Sequence, residues 1–351
     1  MRRNARIITS ELTRFMSEQM KAIGYQLNDA APTNFEQDIP TPTGHDLLVK
    51  IDAIAVNPVD TKVKASITAR LETPRILGWD AVGTILEVGE KATLFDVRDK
   101  IFYAGDISRP GCYASHQLVD ERIAAKAPLV LKPEQSAAMP LTSITAWEAL
   151  FSRLRIFPQY DGGKTILIIG GAGGVGSVAI QLAKVVAKLN VVTTASRPET
   201  EQWCRRLGAD HVLNHSSDLI SQYRVLNVDK PDYILCCADT DQYFDAMAAL
   251  IAPEGMICSL VNSKTTYDMN ALKTKSAGFV WEFMFTLPMF KTKNMTAHHN
   301  ILNNIAALLD EGKIISTLKE TLGPINAENI TQAHRQLLSN QTIGKIAMTA
   351  I

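Results

Sequence analysis

Residues 165–184 read TILIIGGAGGVGSVAIQLAK, and no other stretch of this chain leaves its backbone so little choice. TILII has the composition of a short buried strand, and GVGSVAIQLAKVVAKL has the apolar spacing of a helix. Between them, Gly171, Gly173 and Gly176 form G-x-G-x-x-G, in the strand-to-helix context that gives the motif meaning. Gly171 is expected at the tight turn, Gly173 where backbone approaches a pyrophosphate, and Gly176 where helix packs on strand. The run Gly171, Ala172, Gly173, Gly174, Val175, Gly176 would then face phosphates with its amides, and the helix dipole favours their charge. The cofactor implied is a dinucleotide.

The rhythm around this turn supports that reading. From residue 142 onward, helical SITAWEALFSRL precedes the strand, and strand-like NVVTTAS, HVLNH, DYILCCAD and GMICSLVN alternate with helical segments near 199–207 and at QYFDAMAALI. Strands alternating with helices of this length require crossovers and a parallel sheet. Before residue 142 the pattern is short apolar runs broken by Pro and Gly, such as DLLVKIDAIAVNP, DAVGTILEVG and DKIFYAG, which predicts a β-rich unit. The tail returns to mixed helix and strand. The expected class is α/β: a parallel-sheet nucleotide domain (142–284) inserted between two pieces of a β-rich domain (20–141 and 285–351), with residues 1–19 as an extension.

The second strand ends TTASRPE, placing Thr194, Ser196 and Arg197 where an NAD site would carry an acid for the ribose 2′-hydroxyl. An arginine fork suits a 2′-phosphate, so NADP(H) is the expected cofactor. Ser196 and Glu199 also fit an S-x-x-E capping box, which would start the next helix at that serine.

Lys+Arg and Asp+Glu are equal at 36 each, so global charge recruits no nucleic acid. No apolar run reaches the roughly 18 residues of a membrane span. The five cysteines (112, 204, 236, 237, 258) show no CxxC spacing, which fits free thiols in a reducing, cytoplasmic setting. Residues 1–19 carry four arginines but also Glu11 and Glu18, and acids argue against a transit peptide.

In order along the chain, VNPVDTK, LGWDAVGTILEVG, TAWEAL, IIGGAGGVGSVAIQLAK and WEFMFTLPMFKT resemble the medium-chain dehydrogenase/reductase superfamily over most of residues 20–351. The likeness is greatest to its quinone oxidoreductase branch and to zinc-type alcohol dehydrogenase-like proteins. It implies that the β-rich unit is a GroES-like catalytic domain and that the molecule is a homodimer built on the edge of the nucleotide domain.

Zinc-dependent relatives have Gly-His-Glu where this chain has Gly78-Trp79-Asp80, and a ligand cysteine near Asn57. Tryptophan offers only an N–H donor, and residues 100–127 hold one cysteine, Cys112, where a structural site needs four. No zinc is therefore expected. His298 and His299, adjacent on a predicted helix, read as a solvated face.

Carried over residue by residue, the resemblance implies that Asn57 donates an N–H to the acceptor oxygen and that Asp60 holds its loop. An Asx-type turn set by Pro58 is the alternative account of both. Lys62 stands where some relatives have a tyrosine, and is either a proton donor or a solvated side chain. Trp79 either lines the vacated metal pocket as an aromatic wall or is core. Thr145 and Leu260, Val261, Asn262 would border the nicotinamide, Lys345 would reach the pyrophosphate, and His215 would lie beside the 2′-phosphate. Phe279, Trp281, Phe283, Met284 and Phe285 fit a pocket, a dimer contact or core.

The reaction implied is metal-free hydride transfer from NADPH to a quinone or an α,β-unsaturated carbonyl, whose conjugation delocalises the added charge. Two other readings stay open: a zinc alcohol dehydrogenase with atypical ligands, and an NADPH-binding redox sensor or structural protein.

Overall fold

The structure, a computed structural model, describes residues 18–28 and 30–351. The assignment of 1–19 as an extension lies outside the described residues except for its last two positions. Among the described residues eight strands precede the parallel sheet: β1 (Gln19–Tyr25), β2 (Thr33–Asp38), β3 (Asp46–Ala55), β4 (Arg75–Ile76), β5 (Ala81–Val88), β6 (Lys100–Tyr103), β7 (His116–Asp120) and β8 (Ala124–Lys126). β1, β2 and β4 form a small antiparallel sheet.

Next come six parallel strands: β9 (Thr165–Ile169), β10 (Asn190–Thr194), β11 (His211–Leu213), β12 (Tyr233–Cys236), β13 (Met256–Ser259) and β14 (Gly278–Trp281). Their order is β11-β10-β9-β12-β13-β14. β9 is buried along its whole length, and four of its five residues are apolar because both its faces are covered. Ile166 and Ile168 join the larger core, while Leu167 and Ile169 join a second cluster on the other face. The chain leaves β9 toward β10 and later returns to β12 on its other side. The reversal makes the carboxyl ends of β9 and β12 the topological switch point, where doubly wound sheets bind ligands.

Two last strands, β15 (Leu318–Pro324) and β16 (Lys345–Thr349), return to the first unit and complete a seven-stranded sheet. β16 pairs antiparallel with β3 in the register Ala347↔Ala55. Two steps further along each strand, that register sets Lys345 beside Asn57. The helices that matter below are α1 (Pro58–Ala65), α2 (Pro140–Trp147), α3 (Gly174–Val185), α4 (Pro198–Arg206), α5 (Leu219–Val225), α6 (Thr240–Leu250), α7 (Thr296–Asp310) and α8 (Ala327–Leu338). Among the described residues no helix is long and apolar enough to cross a membrane, and all five cysteines are free.

Candidate active site

β9 ends at Ile169 and α3 begins at Gly174, so four residues make the whole turn. The positive φ that a tight turn needs falls on Gly170, at +86°, and not on Gly171 as the motif suggested. Gly171 is required for another reason: a Cβ there would sit 2.0 Å from Thr193 Oγ1 on the neighbouring strand. At Gly173 a Cβ would meet nothing nearer than 3.6 Å, whereas at Gly176 it would lie 2.3 Å from Gly170 O. The turn is thus open at Gly173, half-buried like Gly174 and Val175, and closed at Gly176. Thr194 is buried, and its Oγ1 accepts the Gly170 amide at 2.9 Å.

Past β10, the N-cap of α4 is Arg197 and not Ser196. The Arg197 amide donates to Thr200 Oγ1 at 3.0 Å, so the R-P-E-T stretch caps the helix one residue later than the serine motif implied. Proline at the first helical position explains the shift, since its fixed φ suits that site. Ser196 is left exposed. The Arg197 guanidinium donates to Gln341 O at 2.8 Å and pairs with Glu199 at 2.8 Å. Half-buried His215 lies close enough for burial and the Arg197 charge to depress its pKa.

Leu260 and Val261 are half-buried and Asn262 exposed beyond β13, with Val261 O accepting from Thr240 Oγ1. Thr145, buried in α2, donates its hydroxyl to Leu141 O.

In the first unit, α1 begins at Pro58, with Asn57 as its N-cap. Asp60 Oδ2 accepts the Asn57 amide at 2.9 Å and the Tyr113 hydroxyl at 2.8 Å. The Asn57 side chain is not spent on a local turn. Its Nδ2 donates to Asp80 Oδ2 at 2.9 Å, and its Oδ1 accepts from Lys345 Nζ. Lys345 Nζ also donates to Asp80 Oδ2 at 2.8 Å and to Val56 O at 2.9 Å, while the Leu141 amide donates to Asp80 Oδ1.

Three acceptors use all three ammonium protons. The expectation that Lys345 reaches a pyrophosphate therefore gives way to an internal role, although its stem lies against Gly174. Burial pushes Asp80 up, opposed by Lys345, Asn57 and the Leu141 amide. Burial likewise raises Asp60 to about 7 against its hydrogen bonds and the Lys345 charge.

Tyr113 continues the network to His334 Nε2 at 3.0 Å, and His334 Nδ1 meets Tyr25 Oη at 3.3 Å. Burial, with Lys64 nearby, lowers His334 to about 4. Sequence reading missed these three residues. The one available sign was His334 on the apolar stripe of α8, four residues after Ile330. Lys62 is exposed on α1, outside this network.

Trp79 is 1% exposed, donates Nε1–H to Asp106 O at 3.1 Å, and meets the Phe285 ring edge-on. The aromatic-wall reading of Trp79 thus yields to a core side chain, because Phe285 and the Gly105 loop close around it. Met284 is core as well, while Trp281 and Phe283 are exposed. Among the described residues no group of three or more His, Cys, Asp or Glu is arranged to hold a metal. Cys112, the thiol beside Asp80, contacts its carbonyl at 3.4 Å, and burial drives the thiol pKa upward. These residues do not fit zinc.

His298 is fully buried rather than solvated, 3.4 Å from Glu148. His299 Nδ1–H donates to Ala124 O at 2.7 Å, and its Nε2 accepts from Asn303 Nδ2 at 2.9 Å. α7 packs this face inward, which the adjacent-histidine argument did not foresee. Glu148, in the π-helical turn that continues α2, and Glu282 are both 3% exposed, and Arg153 pairs with Glu282 at 2.7 Å. Burial, then Glu148, pushes Glu282 strongly upward. The folded chain therefore keeps a proton that the unfolded chain releases, and stability falls as pH rises from the ordinary carboxylate range through that raised value. Glu282→Gln is expected to flatten this slope, ending roughly 2 to 4 °C above the parent Tm at pH 9. Parallel Tm–pH curves would refute it.

The family models that match are a zinc-binding dehydrogenase over residues 207–348 and an alcohol dehydrogenase GroES-like domain over residues 43–129. A zinc-type alcohol dehydrogenase-like protein of Staphylococcus epidermidis is 41% identical over 336 residues, which is 94% of this chain and 99% of that protein. A Rhizobium etli CFN 42 protein, provisionally described as a zinc-dependent alcohol dehydrogenase, superposes with a TM-score of 0.90 at 42% identity, covering 95% of this chain and 99% of that one. Escherichia coli quinone oxidoreductase, solved with NADPH, shares the fold at a TM-score of 0.78 and 21% identity, over 95% of this chain and 100% of that one.

Proposed function

The chain belongs to the zinc-type alcohol dehydrogenase-like group of the medium-chain dehydrogenase/reductase superfamily, a group of oxidoreductases, and from that premise we propose that it reduces quinones or α,β-unsaturated carbonyls with NADPH and no metal. One observation carries the reading. An amide–carboxylate–ammonium network of Asn57, Asp80 and Lys345 stands beside an open glycine turn, at the position where zinc-dependent relatives keep their ligands.

The dinucleotide fits what the chain offers. Gly173 leaves room for phosphate, the α3 amides face that room, and Arg197 with His215 marks the 2′-phosphate end. Thr145 and the 260–262 segment would flank the nicotinamide. Bound, the reduced nicotinamide supplies the hydride. The acceptor gains two electrons and one hydrogen that way and takes a proton from water, leaving NADP⁺ and the reduced product.

Asn57 commits one amide N–H to Asp80, and its second N–H is the donor assigned to the acceptor oxygen. Such a preorganised donor is worth about 2.7 to 4 kcal/mol in the transition state. Asp60 fixes the Asn57 backbone, and Asp80 with Lys345 fixes its side chain. Conjugated acceptors suit this arrangement, because one neutral donor polarises a simple ketone less than a metal does.

The same reading keeps the domain division at 141/142 and 284/285, and a homodimer through the β14 edge, where Trp281 and Phe283 are exposed. Light scattering tests the dimer.

The deciding experiment is NADPH oxidation against quinones, enones, aldehydes and simple alcohols, with metal content measured on the same sample. Turnover of simple alcohols alone, or loss of activity on chelation with recovery on adding zinc, would end the proposal. Arg197→Ala is expected to lower kcat/KM for NADPH about 10- to 100-fold, the value of a charge-assisted hydrogen bond, with little change for NADH. Equal losses for both would remove the 2′-phosphate assignment.

A further inference from the structure

Residues 341–345 enter β16 and touch three parts of the site in five residues. At the outer end, Gln341 O accepts the Arg197 Nη2 hydrogen at 2.8 Å. In the middle, the Gly344 amide donates to Ala172 O at 2.8 Å, and Gly344 bridges to Gly173 in the glycine-rich turn. At the inner end, Lys345 reaches Asn57, Asp80 and Val56.

The segment is not slack. Gly344 holds φ at +57°, a Cβ there would lie 2.3 Å from Thr317 O, and the Lys345 amide donates to that same carbonyl at 2.9 Å. A displacement at Gln341 thus has little backbone freedom in which to dissipate before Lys345.

Resting on the NADPH reading, we propose that residues 341–345 form a strap that couples the 2′-phosphate contact at Arg197 to the placement of Asn57, with Lys345 as the positioning residue at its inner end. The guanidinium has five N–H donors. Gln341 O occupies one donor direction, and Glu199 lies 2.8 Å from Nε, which is buried and makes no hydrogen bond; a phosphate next to Glu199 would repel it and take its place. Fixing the fork on phosphate fixes Gln341 O through a charge-assisted hydrogen bond. The strap then holds the Lys345 ammonium, and through it the Asn57 amide, in one geometry. Binding energy from a remote, unreacting group is in this way expressed in the rate rather than in affinity alone. Lys345 needs no contact with the phosphate to confer preference for NADPH.

The test uses the intact protein with NADH, which leaves the 2′ position empty, and adds inorganic phosphate at constant ionic strength set with sodium chloride. The expected result is a rise in kcat with NADH of about five-fold or more, with no rise for NADPH. In Lys345→Gln the activation should vanish and NADPH turnover should fall to the NADH level, while NADPH keeps its tighter equilibrium binding. Phosphate that leaves the kcat of the unmodified protein unchanged, or that activates Lys345→Gln equally, overturns the coupling. Should the variant fail to fold, the phosphate arm on the unmodified protein decides alone. The premise is read separately: NADPH binding no tighter than NADH in an equilibrium titration would remove the 2′-phosphate site itself, before any turnover is measured.

Discussion

Gly176→Ala is expected to lose the native fold or about 3 kcal/mol or more of it, while Gly173→Ala, three residues away in the same motif, is expected to fold like the parent and bind dinucleotide tenfold or more weakly. A methyl on residue 176 would lie 2.3 Å from Gly170 O, 2.7 Å from Gly171 Cα and 2.9 Å from Gly171 C. All three are backbone atoms, so no rotamer change relieves the contact, and α3 has to lift from β9. Overpacking of side chains already costs about 1 to 3 kcal/mol.

Residue 173 has φ −72° and ψ 174°, which alanine adopts without strain, and its nearest neighbour is 3.6 Å away. That open space is where a pyrophosphate would approach the backbone. Urea unfolding and a nucleotide titration on each variant separate the two effects. Unimpaired NADPH binding by Gly173→Ala would sink the phosphate role of the turn.

Lys345→Met is expected to destabilise the protein by about 3 to 5 kcal/mol, the usual cost of leaving a buried charge without its partner. Asp80 is 0% exposed and Lys345 3%, so water does not replace the lost ammonium. Asp80→Asn in the Lys345→Met background should recover most of the loss. An asparagine carbonyl still accepts the Leu141 amide that Asp80 Oδ1 accepts, and no charge is stranded. The double variant should thus be more stable than Lys345→Met alone, as measured by urea midpoints. Additive losses would mean that the two side chains do not depend on each other and that Asn57 is held by something else.

Legibility from sequence varied with the reach of the interaction. The β9–turn–α3 unit and the alternation through β14 were readable because each depends on residues close in sequence. The misreadings were of partners. Gly170, not Gly171, takes the turn because the positive φ falls one residue earlier. Arg197, not Ser196, caps α4 because Pro198 sets where the helix starts. His298 was read as solvated, and only the packing of α7 against the Glu148 turn buries it. Lys345, read as a phosphate ligand, is drawn inward by Asp80, 265 positions away in the chain.

By itself, the sequence determined that this chain builds a parallel sheet entered through a glycine-rich turn, and that Trp79 and Asn57 are not residues that ligate zinc. Periodicity, φ requirements and donor type are local properties, and one strand of residues displays them. Tertiary structure alone decided that Asn57, Asp80 and Lys345 form one buried unit, and that Tyr113, His334 and Tyr25 extend the network through Asp60. A desolvated charge is stable only beside its partner, and that partner is set by the register of β16 on β3, which no stretch of either strand states alone.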